Sequence, residues 1–150
     1  MNDSDRFMKE ALKQANKAYD KGEVPIGAIV VKDGKIISRA YNKRETEMKA
    51  TSHAEIIAIE KACKKLNNWR LNDCDLYVTL EPCPMCAGAI LNSRIKNLYF
   101  GAYDKKSGAI VSNLNMLDYE FCNHRTNYES EIMKIECEKI IKDFFKELRK

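Results

Sequence analysis

Tyr77-Val78-Thr79-Leu80-Glu81-Pro82-Cys83-Pro84-Met85-Cys86-Ala87-Gly88-Ala89-Ile90 runs as a β-rich segment, breaks at Pro82 and restarts as a helix that carries two cysteines. The apolar and β-branched residues before the break predict a buried strand, and proline is favoured at a first helical position, the place Pro84 takes. With the next apolar run, Ile95-Lys96-Asn97-Leu98-Tyr99-Phe100, the stretch predicts a right-handed βαβ unit whose strands are parallel. Two thiols opening a helix read as half of a metal site. The other half is His53-Ala54-Glu55, upstream by a distance that suits an intervening helix and strand.

Working outward from that unit, residues Ser4 to Lys21 place Phe7, Met8, Ala11, Leu12, Ala15, Ala18 and Tyr19 at helical spacing, and Gly22 supplies a stop. Ile26 to Val31 and Lys35 to Tyr41 are strand-like and joined at Asp33-Gly34, a strong hairpin signal, so the sheet begins antiparallel. Asn42 to Ser52 is polar and irregular. Ala54, Ile57, Ala58, Lys61, Ala62 and Leu66 then mark a helix whose first turn contains His53 and Glu55. Beyond the βαβ unit the pattern predicts a loop over Gly101 to Ser112, a strand over Tyr128 to Lys134 and a helix from Ile135 to Arg149. On that helix Cys137, Ile140, Ile141, Phe144, Phe145 and Leu148 fall on one side, and Lys139, Lys142, Lys146 and Arg149 line the other, as a solvated face or a phosphate-contacting stripe. No repeat or linker interrupts the chain, and residues 1–150 read as a single domain.

Composition narrows the classes. Apolar residues make up 45% and charged residues 32%, and no apolar run approaches a membrane span. The start, Met1-Asn2-Asp3-Ser4-Asp5, has no apolar segment of the secretory kind, so a cytoplasmic protein is expected. In that reducing compartment the six cysteines are not a disulfide framework. Only Cys83 and Cys86 have ligand spacing, and Cys63, Cys74, Cys122 and Cys137 are expected as small buried hydrophobes. A net charge of +4 permits a nucleic-acid partner without requiring one.

A catalytic zinc takes three protein ligands and keeps a position for water, and one histidine with two thiolates is an attested set. His53, Cys83 and Cys86 supply it, at helix N-termini where backbone dipoles favour thiolates. Glu55, two residues after the histidine, is placed for general acid/base work on a water that zinc acidifies, and hydrolysis follows. Two other readings of the cysteine pair fit less well. Disulfide exchange leaves His53-Ala54-Glu55 without a task, and a closed structural zinc site that binds RNA lacks a fourth ligand at convincing spacing, since Cys74 and Cys122 lie outside the motif turns.

His53-Ala54-Glu55 with Pro82-Cys83-Pro84-Met85-Cys86 resembles the H-x-E…P-C-x-x-C signature of zinc nucleobase deaminases. A closer resemblance spans nearly the whole chain: Glu23-Val24-Pro25-Ile26-Gly27-Ala28, Asn42, Leu76 to Ala89, Gly101-Ala102-Tyr103-Asp104, Asn123-His124-Arg125 and Phe144 to Arg149 are similar to the bacterial tRNA-specific adenosine deaminases. It implies a three-layer α/β/α cytidine-deaminase-like fold with a mixed central sheet, a homodimer, and one Zn²⁺ per subunit. The implied reaction converts the wobble adenosine of a tRNA anticodon to inosine, with Glu55 as the proton shuttle. Asn42 would orient the base, Val24, Pro25 and Ile26 would wall its pocket, and Asp104 would lie near the RNA backbone. The implied partner is the tRNA anticodon stem-loop, with Lys43, Arg44, Lys105 and Lys106 as candidate phosphate contacts; neither DNA nor a membrane is expected. His124 is not taken as a ligand, because the zinc set is complete without it. Deamination of a free base such as guanine or cytosine is the alternative, against which the Gly101 to Asp104 segment and the basic last helix argue. Lys49-Ala50-Thr51-Ser52-His53 departs from the family pattern Asp-Pro-Thr-Ala-His and lacks its stiffening proline.

Overall fold

The computed structural model describes residues 1–119 and 124–149. The expectations for Cys122 and Asn123 fall outside the described residues. Helix α1 spans Asp3–Asp20, and the side chain of Asn2 caps it by accepting the Asp5 N–H at 2.8 Å. Strands β1 (Gly27–Lys32) and β2 (Lys35–Tyr41) form the expected hairpin. Asp33 and Gly34 both take positive φ, 51° and 75°, as the tight turn requires. A one-turn helix α2 (Arg44–Glu47) precedes α3 (Ala54–Leu66). Strand β3 (Cys74–Leu80), helix α4 (Pro84–Asn92) and strand β4 (Asn97–Ala102) make the βαβ unit, followed by β5 (Asn127–Glu129) and α5 (Lys134–Leu148).

The five strands lie in the order β2-β1-β3-β4-β5. β1 is antiparallel to both neighbours, while β3, β4 and β5 are parallel, so the sheet is mixed. Alternation along β1 sends Ile29 and Val31 to one face, where Phe7, Met8 and Ala11 of α1 and Cys137 of α5 pack. Ala28 and Val30 go to the other, against Ala58 and Ala62 of α3 and Ala87 and Ile90 of α4. The result is the expected three-layer α/β/α fold. α1 comes so close to β1 that a Cβ at Gly27 would collide with backbone atoms of Ala11 and Ala15.

Several sequence-level boundaries move. Gly101 and Ala102, expected in the loop, extend β4, and Ala102 pairs with Leu80. The expected strand over Tyr128 to Lys134 is only three residues long, because Glu131 and Met133 take positive φ and turn the chain. α5 buries only Cys137 and Phe144; Phe145 and Leu148, expected with them, are 39% and 64% exposed. Cys74 and Cys137 are buried as expected, whereas Cys63 is half-buried, its thiol reaching the Trp69 carbonyl at 3.7 Å. None of the described helices is long and apolar enough to cross a membrane.

Candidate active site

Topology brings the site residues together. Because β1 runs opposite to β2, β3 and β4, the segment entering β1 lies at the same sheet edge as the segments leaving the other three. Val24 and Ile26 come from the entry to β1, Asn42 and His53 follow β2, Cys83 follows β3 and Asp104 follows β4. A crevice outside the carboxyl ends of strands is where open α/β sheets place ligands. Here it is a cleft of ≈ 520 Å³, with His53, Glu55 and Cys83 in its lining beside Val24, Ile26 and Asn42.

His53 is the N-cap residue of α3 and Cys83 that of α4, and neither side chain makes a capping hydrogen bond. Ser, Thr, Asp or Asn would ordinarily fill such positions and turn back onto the helix. Histidine and cysteine leave their donor atoms facing outward. His53 Nδ1 lies 3.6 Å from Cys83 Sγ and 3.5 Å from Cys86 Sγ, and the three atoms fall within 4.8 Å of one another. Nitrogen at about 2.0 Å and sulfur at about 2.3 Å from a tetrahedral ion stand about 3.5 Å apart, so the spacing and the donor set suit zinc. The hydrogen bond from Cys86 brings the Cys83 thiol down to about 4, and the same bond pushes Cys86 up. The bond to Cys83 also raises His53.

Glu55, in the first turn of α3, is 4% exposed. Burial lifts its carboxyl to about 7, against the pull of its own backbone N–H and of the His53 imidazole. Its Oε1 has no hydrogen-bond partner, the sole buried side-chain oxygen or nitrogen so placed among the described residues. An unmet buried oxygen is costly, and it marks a place for a proton or donor brought by a ligand.

Of the residues expected around the base, Val24 and Ile26 line the cleft and Pro25 does not. The Ile26 N–H bonds back to the Val24 carbonyl at 2.8 Å, a three-residue turn that sets its two ends on the cleft and leaves Pro25 buried. Asn42 is buried, its Nδ2 donating to the Val24 carbonyl at 3.3 Å and its Oδ1 accepting the Arg44 N–H at 3.4 Å. Asp104 lines the cleft, but its Oδ1 accepts the N–H groups of Lys106 and Ser107 at 3.1 Å each, so its carboxylate shapes its own loop. His124 is held elsewhere, with Nε2 2.8 Å from the Ile95 carbonyl. Where the stiffening proline is missing, Ser52 Oγ donates to Glu47 Oε1 at 2.6 Å and ties the loop shut.

Sequence reasoning missed two buried carboxylates and one wall. Glu81, within the opening stretch, accepts bonds from the loop after β4; Glu23 accepts the N–H groups of Glu45 and Thr46 at 3.2 and 2.6 Å and the Thr46 hydroxyl at 2.7 Å. Burial pushes both carboxyls up, and the hydrogen bonds, led by those from Ser112 and Thr46, outweigh it and hold both low. An acidic residue ending a buried strand or preceding an apolar turn was the available signal. The wall is Ile141, Phe145 and Arg149 of α5, four residues apart on one stripe facing the cleft.

A three-layer mixed sheet with a His-Cys-Cys donor group at two helix starts, and a buried carboxylate beside it, defines a hydrolytic deaminase of the cytidine-deaminase type. The family model for MafB19-like deaminases matches residues 2–149. The tRNA-specific adenosine deaminase of Bacillus subtilis (strain 168) is 50% identical over 150 residues, covering 100% of this chain and 93% of that one. A structure solved in work on A-to-I editing by tRNA:A34 deaminases at the wobble position of transfer RNA is 44% identical, with a TM-score of 0.87 over 90% of this chain and 98% of that one. A guanine deaminase structure from Bacillus subtilis, also 44% identical, reaches a TM-score of 0.65 over 69% of this chain and 66% of that one. The chain belongs to the tRNA-specific adenosine deaminase family.

Proposed function

We infer that this protein converts adenosine to inosine at the wobble position of a tRNA anticodon by hydrolytic deamination. The observation that carries the reading is the meeting, in one cleft, of the donor group, the unmet Glu55 oxygen and a basic rim of Arg44, Lys105, Lys106 and Arg149. A free base needs no such rim, whereas phosphate contacts position a polynucleotide. An anticodon loop presents bases that are already unpaired and cheap to extrude.

His53, Cys83 and Cys86 would hold Zn²⁺, which supplies the Lewis acidity that makes water a nucleophile at neutral pH. Glu55 takes one proton from the attacking water and gives it to the purine ring nitrogen, which keeps it in the product. It then takes the second proton from the hydroxyl now on C6 and gives it to the amino group, which leaves as ammonia while the C6 carbonyl forms. A carboxyl brought near neutrality by burial suits both acceptance and donation. Asn42, at the cleft wall, offers amide donors and an acceptor to the base edge, and Val24 and Ile26 pack against its faces. The tRNA reading supports a cytoplasmic location.

The test is incubation with an anticodon stem-loop RNA carrying wobble adenosine, followed by nucleoside analysis. Inosine is the expected product. No inosine, with ammonia released from guanine or cytosine instead, would overturn the reading in favour of a free-base deaminase. We also propose that the chain works as a homodimer. α4 leaves Met85 36% exposed, and the segment after β4 leaves Val111 45% and Leu114 40% exposed, apolar groups that a second copy can cover. Sedimentation equilibrium should give twice the chain mass; a monomer at micromolar concentration would reject this.

A further inference from the structure

Glu81 ends the stretch that forms β3, and it is 2% exposed. Its backbone N–H bonds to the Ala102 carbonyl at 2.9 Å, which keeps it in register with the end of β4. Its carboxylate takes five donors from the segment after β4. Oε1 accepts the Asp104 N–H at 3.1 Å and the Ser112 hydroxyl; Oε2 accepts the N–H groups of Ile110, Val111 and Ser112 at 3.1, 2.8 and 2.9 Å. One side chain therefore holds both ends of the loop. Among the described residues no Lys or Arg forms a salt bridge with it, so four backbone N–H groups and the Ser112 hydroxyl balance its charge.

The loop is built around that group. Gly108 packs so tightly that an added Cβ would meet the Glu81 carboxyl and the Asp104 carbonyl, and its N–H bonds that same carbonyl at 2.8 Å. Asn113 Nδ2 donates to the Lys105 carbonyl at 3.0 Å, which closes the turn from the far side. What the clamped loop presents to the cleft is Tyr103, Asp104, Lys105, Lys106 and Ser107.

We propose that Glu81 is a positioning residue for the RNA substrate: by gathering the amides at both ends of the 104–112 loop it fixes the cleft rim that receives the polynucleotide, its own carboxylate, at the cleft lining but 2% exposed, being taken up by the loop's five donors. The inference rests on the tRNA reading above. It assigns to Glu81 an effect on substrate binding, separate from the metal group two residues away and from the proton chemistry of Glu55.

The experiment is steady-state kinetics of Glu81→Gln on an anticodon stem-loop RNA with wobble adenosine, with zinc content measured in parallel. An amide turns N–H groups toward loop N–H groups and leaves two or three of them unmet. The expected result is a KM raised about 10-fold, worth about 1.4 kcal/mol, with kcat within about 2-fold of the parent and zinc content unchanged. A fallen kcat at constant KM, lost zinc, or unchanged constants would each overturn the proposal. If Glu81→Gln does not fold, Ser112→Ala removes one exposed donor and keeps the amides; it should raise KM about 2- to 3-fold, and an unchanged KM there counts against the proposal. A parent enzyme that makes no inosine would instead refute the tRNA reading, so the two failures are distinct.

Discussion

Glu55 and Glu81 are carboxylates of nearly equal burial, 4% and 2% exposed, one in the first turn of α3 and the other directly after β3, and their surroundings shift them in opposite directions. Around Glu81 the chain supplies five donors, and the carboxyl stays low despite burial. Around Glu55 it leaves Oε1 unmet, and burial wins, to about 7. Burial alone therefore does not decide whether an acidic residue is structural or chemical. The count of fixed N–H groups aimed at it does, because each one replaces hydration that the carboxylate lost.

The contrast predicts different failures. Glu55→Ala removes the proton carrier and is expected to give the largest effect, a kcat lower by about 10²–10⁴-fold. Zinc content and the melting temperature should not fall, since Oε1 contributes no hydrogen bond to the fold. Metal analysis beside turnover on the stem-loop RNA checks this. A variant that still deaminates normally would erase the distinction between the two carboxylates. Glu81→Gln stands second, with its smaller change confined to KM.

The legibility of these features in the sequence divides along the same line. That His53, Cys83 and Cys86 would meet, with Glu55 beside His53, was legible because metal and acid/base chemistry ask for particular residue types at short spacings, and the two helix starts bring the three donor atoms within 4.8 Å of one another. The hairpin and the βαβ unit were readable from periodicity and from Asp33-Gly34, whereas the three layers were implied by the family resemblance. Glu81 and Glu23 were in plain view yet silent, since a carboxylate's partners here are backbone amides, which carry no residue-type signature. The cleft wall of Ile141, Phe145 and Arg149 was hidden for another reason. An apolar stripe on α5 looks continuous in sequence, but among its described residues only Cys137 and Phe144 are buried, and where the remainder point depends on how the helix packs. Pro25 illustrates the finer grain: a motif match named three neighbouring residues as a wall, and a turn closed by one hydrogen bond buried the middle one.

Glu23 extends the comparison to the opposite rim, with the smallest expected effect. It is 1% exposed and accepts bonds from Glu45 and Thr46, which fix the short helix α2 that carries Arg44 to the cleft. Burial pushes its carboxyl up, but the Thr46 and Glu45 bonds prevail and hold it below its ordinary 4.5. A group depressed in the folded state lends stability that is present above the unfolded value and lost as pH falls through the folded one. Glu23→Gln should therefore lower the melting temperature by about 5 °C near neutral pH, from the loss of about 1.5–3 kcal/mol of charge-assisted bonding. The gap between parent and variant should begin to narrow as pH falls through the unfolded value of 4.5 and close once it passes below the lower folded one, where both states of the parent bind the proton. Thermal unfolding by circular dichroism across that range checks the sign. A gap that persists unchanged into acid would mean that packing against Glu23, and not its charge, holds the rim, and the likeness between Glu23 and Glu81 would not stand.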